Sequence, residues 1–151
     1  MKKPARRPRF VGMNPVQAAV IRRGIKTDVA ALEVSAKLHA ITGANAAKLV
    51  NEAGRLSFIV GHAAAACGIS ESHPDMRIVR GLAEALGDLA ADLRSLEQHR
   101  PAILSGCEAL SRLLPLCNDW TLGTAAIELD HLLATAEGMG TSDIRRAMGI
   151  A

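Results

Sequence analysis

Tyrosine is absent, and phenylalanine and tryptophan together supply three residues, 2% of 151. A chain this poor in aromatics has no platform for stacking single-stranded bases. It also lacks the β-branched and aromatic runs from which sheets are built. Cysteine is scarce and odd in number: Cys67, Cys107 and Cys117, with no Cys-x-x-Cys pair. That count excludes a disulfide framework and points to the reducing cytoplasm, with the thiols packed as small hydrophobes. The longest stretch without a charge is Leu56–Ser70, fifteen residues. At ~1.5 Å per residue it falls short of a bilayer core of about 30 Å, so no membrane association is expected. Pro4 and Pro8 interrupt the start and no apolar run follows, so no secretory signal peptide is expected. Gly-x-Ser-x-Gly, the P-loop, the dinucleotide fingerprint and His-Glu-x-x-His are all missing. These absences remove the easily recognised mechanisms without excluding catalysis; the expectation is a protein that is not an enzyme and carries no cofactor or metal, with the loop at 68–75 or Glu128 and His131 as the sites an enzyme would use.

What remains is 49% apolar and rich in leucine and alanine. These residues favour helices. The spacing predicts an all-α fold: a single-domain helical bundle of five to six helices over residues 14–151, preceded by an extended basic arm over residues 1–13. Asn14-Pro15 reads as a helix cap followed by proline at the first helical position. A short helix to Arg23 is expected to stop at Gly24, and another to run from Thr27 and Asp28 to Gly43. Asn45 is expected to cap a long helix to Cys67, with Gly68 as its stop. His73-Pro74-Asp75 opens the clearest helix. Its stripe of Val79, Leu82, Leu86, Leu89, Leu93 and Leu96 keeps a heptad spacing, and Pro101 is expected to kink or end it near Arg100. A further helix is expected from Thr121 to Glu137, with Trp120 anchoring the loop before it. Thr141 caps a last short helix, Ser142–Met148.

The charge is unevenly spread. Residues 1–26 hold eight cations and no acid, whereas the remainder holds ten cations against fifteen acids. A cationic arm on an acidic body predicts where an anionic partner lands. Lys2, Lys3, Arg6, Arg7 and Arg9 are the candidate contacts to nucleic acid or to an acidic protein surface. Nucleic-acid binding through them would be electrostatic and weakly specific. Solvation of the arm, or its folding onto the acidic body, is the competing reading.

Other constellations are weaker. Lys48, Asn51 and Arg55 share a helix face, as a recognition helix would require. The length of that helix, and His39 where close packing wants a small residue, argue against a helix-turn-helix. Glu71, His73 and Asp75 cluster in one loop, and Glu128 precedes His131 by three. Each reads first as ordinary polar surface. Ala53, Ser57, Gly61 and Ala65 are small residues at four-residue spacing, a ridge that admits a close helix. It serves either packing within the chain or a homodimer contact.

Two segments carry a resemblance. Arg7-Pro8-Arg9-Phe10 with Asn14-Pro15-Val16, and Trp120-Thr121-Leu122, Glu128-Leu129-Asp130, Leu133, Thr141-Ser142-Asp143 and Ala147, resemble small helical proteins of phages and proteobacterial prophages. That group has no established activity, so no site residue is carried over. The resemblance implies an intracellular accessory protein. Taken together, the sequence points to a helical interaction protein that binds or occludes a host protein partner, with nucleic-acid binding by the arm as the alternative.

Overall fold

Asn14 and Gln17 open the first helix by capping each other. The Gln17 amide donates to Asn14 Oδ1 at 2.9 Å, and the Asn14 amide donates to Gln17 Oε1 at 2.9 Å. In this computed structural model, which describes residues 13–38, 43–92 and 96–135, five α-helices follow in order. They are α1 (Pro15–Leu38), α2 (Gly43–Ala66), α3 (Pro74–Ala91), α4 (Leu96–Leu113) and α5 (Asp119–Thr135), with a 3₁₀ turn, Leu114–Leu116, between the last two. No strand occurs among the described residues. The arm contacts expected at Lys2, Lys3, Arg6, Arg7 and Arg9, and the short helix expected over 142–148, lie outside them.

The caps explain the boundaries. At the end of α2, Gly68 takes φ +85°. The Ile69 amide then reaches the Ala64 carbonyl at 3.1 Å and the Gly68 amide reaches Ala65 at 3.0 Å. This pair of bonds closes the helix as a Schellman motif, where a residue with a Cβ would be strained. His73 caps α3, its Nδ1 accepting from the Asp75 amide at 3.1 Å, with Pro74 beginning the helix. Asn118 Oδ1 accepts from the Thr121 amide at 2.8 Å at the entry of α5.

Three expectations are corrected. Gly24 does not end a helix, because α1 runs through it from Pro15 to Leu38. Helical Ile25, Val29, Leu32 and Ala36 form one buried stripe on its core side, and burying that stripe outweighs the cost of about 1 kcal/mol for an interior glycine. Gly43 begins α2 rather than ending the helix before it, which places Asn45 inside the first turn. The break after α3 comes at Asp92, which is extended at φ −146° and ψ 96°, and not at Pro101. Pro101 lies inside α4. The bond it removes would have gone to the carbonyl of exposed Glu97 in the first turn, within reach of water.

The helices pair antiparallel along the chain. Arg55 on α2 pairs with Asp28 on α1, Gly61 on α2 faces Val79 on α3, and Arg112 on α4 pairs with Asp75 on α3 at 2.8 Å. α5 returns along α2, where Thr121 Oγ1 sits 3.3 Å from Cys67 Sγ. Arg22 on α1 locks the 3₁₀ turn. It donates to the Leu114 carbonyl at 3.0 Å, to the Cys117 carbonyl and to Asp119. One apolar cluster collects side chains from all five helices, with Leu56, Leu110 and Leu122 fully buried.

Candidate functional site

The small-residue ridge of α2 does two things. Ala53 is fully buried in the core. Ser57, Gly61 and Ala65, together with Gly54, line an open cleft of about 280 Å³ between α2 and α3. α3 supplies the opposite wall through Met76, Val79, Ala83 and Leu86. A Cβ on Gly61 would lie 3.8 Å from Val79 Cγ1, in ordinary van der Waals contact. Beyond Ala53 the ridge therefore faces Val79 across the cleft, with room at Gly61 for little more than a methyl group.

Polar groups ring and floor this apolar space. Ser57 is 7% exposed, and its Oγ has no hydrogen-bond partner. That hydroxyl is closed off from solvent, and leaving it without a partner carries a desolvation cost. Phe58 and His62 stack one turn apart, with ring centroids at 3.9 Å and planes 24° apart. His62 Nδ1 lies 2.9 Å from the Phe58 carbonyl. A carbonyl only accepts, so Nδ1 is the donor in this contact. Arg80 and Glu71 bring opposite charges to the mouth. Arg80 touches Glu84 only at 3.9 Å, with both side chains about 70% exposed (71% and 68%), so its guanidinium is scarcely committed.

The sequence marks the small residues of α2 as a ridge for a close helix, not as the wall of a cleft, and does not single out the α3 wall. The signal was there: Met76, Val79, Ala83 and Leu86 repeat at three and four residues, a second stripe beside the one that enters the core.

The remaining candidates take structural roles. His73 caps α3, and Asp75 binds Arg112, so Glu71 alone of that loop faces the cleft. Arg55 turns toward Asp28 and Glu52, leaving Lys48 and Asn51 as the exposed members of their face. Glu128 and His131 are exposed on α5. Among the described residues, no group of three or more histidine, cysteine or acidic side chains is placed to hold a metal. Burial pushes the Cys107 and Cys117 thiols up to about 11, which keeps both protonated and unreactive near neutrality. Trp120 does not anchor a loop onto the core. It stands in the first turn of α5, 53% exposed, with Leu116 also 53% exposed. Among the described residues no helix is long and apolar enough to cross a membrane.

The geometry defines an all-helical body with an amphipathic cleft and an exposed indole. No family model matches the chain, and no curated protein or solved structure shows significant similarity to it.

Proposed function

We propose that the chain is a non-enzymatic helical interaction protein, an accessory factor of phage or prophage type that binds or occludes a host protein in the cytoplasm. The observation that carries this reading is Trp120, which leaves 53% of its surface to solvent, as does Leu116 four residues earlier in the chain. Tryptophan is the residue type most enriched among the few that dominate binding energy at protein interfaces. Its three free thiols, two of them buried, suit a reducing compartment. The test uses Trp120→Ala. The wild-type chain retains a host protein from lysate, and the variant binds that protein at least ~30-fold more weakly, the effect of losing about 2 kcal/mol. Its thermal unfolding stays unchanged. Equal binding by both, or retention of nothing by the wild type, overturns the reading.

The cationic start supports a second reading, an accessory protein that binds nucleic acid. Arg22 is engaged with Asp119 and two carbonyls, but Arg23 and Lys26 remain exposed on α1 to extend the charge of Lys2, Lys3, Arg6, Arg7 and Arg9. If those five cations neutralise phosphates, duplex affinity falls roughly 10²–10³-fold between about 50 and 200 mM salt. Replacing the five with glutamine removes both the binding and its salt dependence in a mobility-shift assay. Unchanged affinity rules the arm out.

A further inference from the structure

We infer that the corner of the bundle around Trp120 takes an acidic helix of a protein partner, one whose apolar face is flanked by glutamate or aspartate. This rests on the interaction reading above and names the chemistry of the partner.

Arg22 draws three segments together at one end of the bundle. From α1 it reaches the Leu114 and Cys117 carbonyls, in and just after the 3₁₀ turn, and the Asp119 carboxylate that opens α5. Met13 and Ile21 lie against Gly123 of α5, with Ile21 Cδ1 3.6 Å from where a Cβ would stand. Large apolar side chains are left outside at this junction. Val20 is two residues from Arg22, Leu116 adjoins Cys117 and Trp120 adjoins Asp119, so each lies within about 8 Å of chain of a residue in the Arg22 knot. Val16 stands one turn before Val20 on the same face of α1. Of the six large hydrophobic side chains exposed among the described residues, these are four, with Val16 the most open at 71%. Scattered singly they would need no explanation, but gathered at one corner they mark a docking surface.

The uncommitted charge around them is of one sign. Arg23, three residues after Val20, and Lys26 are exposed on α1, while Asp119 is taken by Arg22 and Asp28 by Arg55. The residues before Met13 add Lys2, Lys3, Arg6, Arg7 and Arg9 and no acid, and the chain joins the fold at this corner, where Met13 meets Gly123. An apolar centre with a cationic rim complements an apolar face with an acidic rim. Nucleic acid would meet the cations and leave the four apolar side chains without a partner. A second copy docked about a two-fold axis would set Arg23 and Lys26 against the same cations. No sheet edge exists among the described residues for a partner strand to extend, so the occupant that remains is a helix.

Trp120 is the sole tryptophan of a chain without tyrosine, so its fluorescence reports this corner alone. The test titrates the full chain with a synthetic helix of about 18 residues, leucine on one face and glutamate on the rest, and with the same helix carrying lysine for glutamate. The acidic helix moves the emission saturably to shorter wavelength, and the lysine helix binds at least ~10-fold more weakly. Raising the salt from about 50 to 500 mM weakens the acidic helix several-fold. Arg23→Gln together with Lys26→Gln weakens it roughly threefold to tenfold, and Val20→Glu does so at least as much. All three are surface changes that leave the melting temperature in place. Absence of a saturable shift overturns the inference, as does equal binding of the two helices. A shift driven by duplex DNA and not by the acidic helix assigns the corner to nucleic acid, and a shift on concentrating the protein alone assigns it to a second copy. The host protein retained from lysate keeps the two claims apart. If Trp120→Ala loses it and the Arg23 and Lys26 double variant holds it as well as wild type, the interaction reading stands and the acidic partner does not.

Discussion

Leu56→Ala lowers the unfolding free energy by about 2–5 kcal/mol. Leu56 is fully buried near the middle of α2, the helix that touches each of the other four. Truncation removes apolar contacts and leaves a hole that five helices must close around together. Because those helices are also held by capping bonds and ion pairs, the walls collapse only partly and the cavity cost remains. The denaturant midpoint falls while the slope of the urea transition is unchanged, and the melting temperature drops roughly 6–15 °C. Val20→Ala, at a side chain 60% exposed on α1, changes stability by less than ~0.5 kcal/mol. A loss under about 1 kcal/mol at Leu56 would mean that α2 is not the centre of the core.

The second large effect is a contrast between two glycines. Gly106→Ala destabilises by about 1–3 kcal/mol. A Cβ there would run into the Leu82 side chain, with Cγ at 3.1 Å and Cβ at 3.2 Å. Leu82 is 1% exposed and wedged between α3 and α4, so it has no free space to retreat into. Gly24→Ala stabilises by about 0.5–1 kcal/mol, since alanine is the better helix former and nothing lies within 4 Å of its Cβ. The opposite signs, read from paired thermal melts, separate two roles that look alike in sequence. Destabilisation by Gly24→Ala would show that α1 breaks there after all, because a glycine ending a helix in the left-handed region resists alanine.

Much of the fold is legible without coordinates. Asn14-Pro15, Gly68 and His73-Pro74 announce helix ends, and each acts through bonds within five residues. The stripe on α3 likewise marks its buried face, where Val79, Leu82, Leu86 and Leu89 are all buried. The cleft is not legible, since small residues four apart mark a close helix approach equally well and do not show where the neighbour stands off. The α3 wall was obscured because Val79 and Leu86 belong to both α3 stripes. The core-facing stripe is richer in leucine and hides the shallower one. Trp120 misled for a related reason. Tryptophan usually buries its large apolar ring, and nothing local shows that α5 turns this one outward.

Composition and periodicity alone made this protein helical: few aromatics, abundant leucine and alanine, and apolar residues every three or four positions. They could not locate the turn between α3 and α4. The stripe keeps its phase from Val79 to Leu96, so one long helix and two shorter ones satisfy the same spacing. Partners far apart in sequence decide it. Asp75 with Arg112, and Leu82 against Gly106, require the chain to reverse between them. α3 ends at its C-cap, Asp92, and α4 begins at Leu96, so that Leu82 and Leu110 are both buried in one core. Local rules act over a single helical turn. The choice between continuing and folding back depends on area buried between residues dozens of positions apart, and only the assembled helices contain that information.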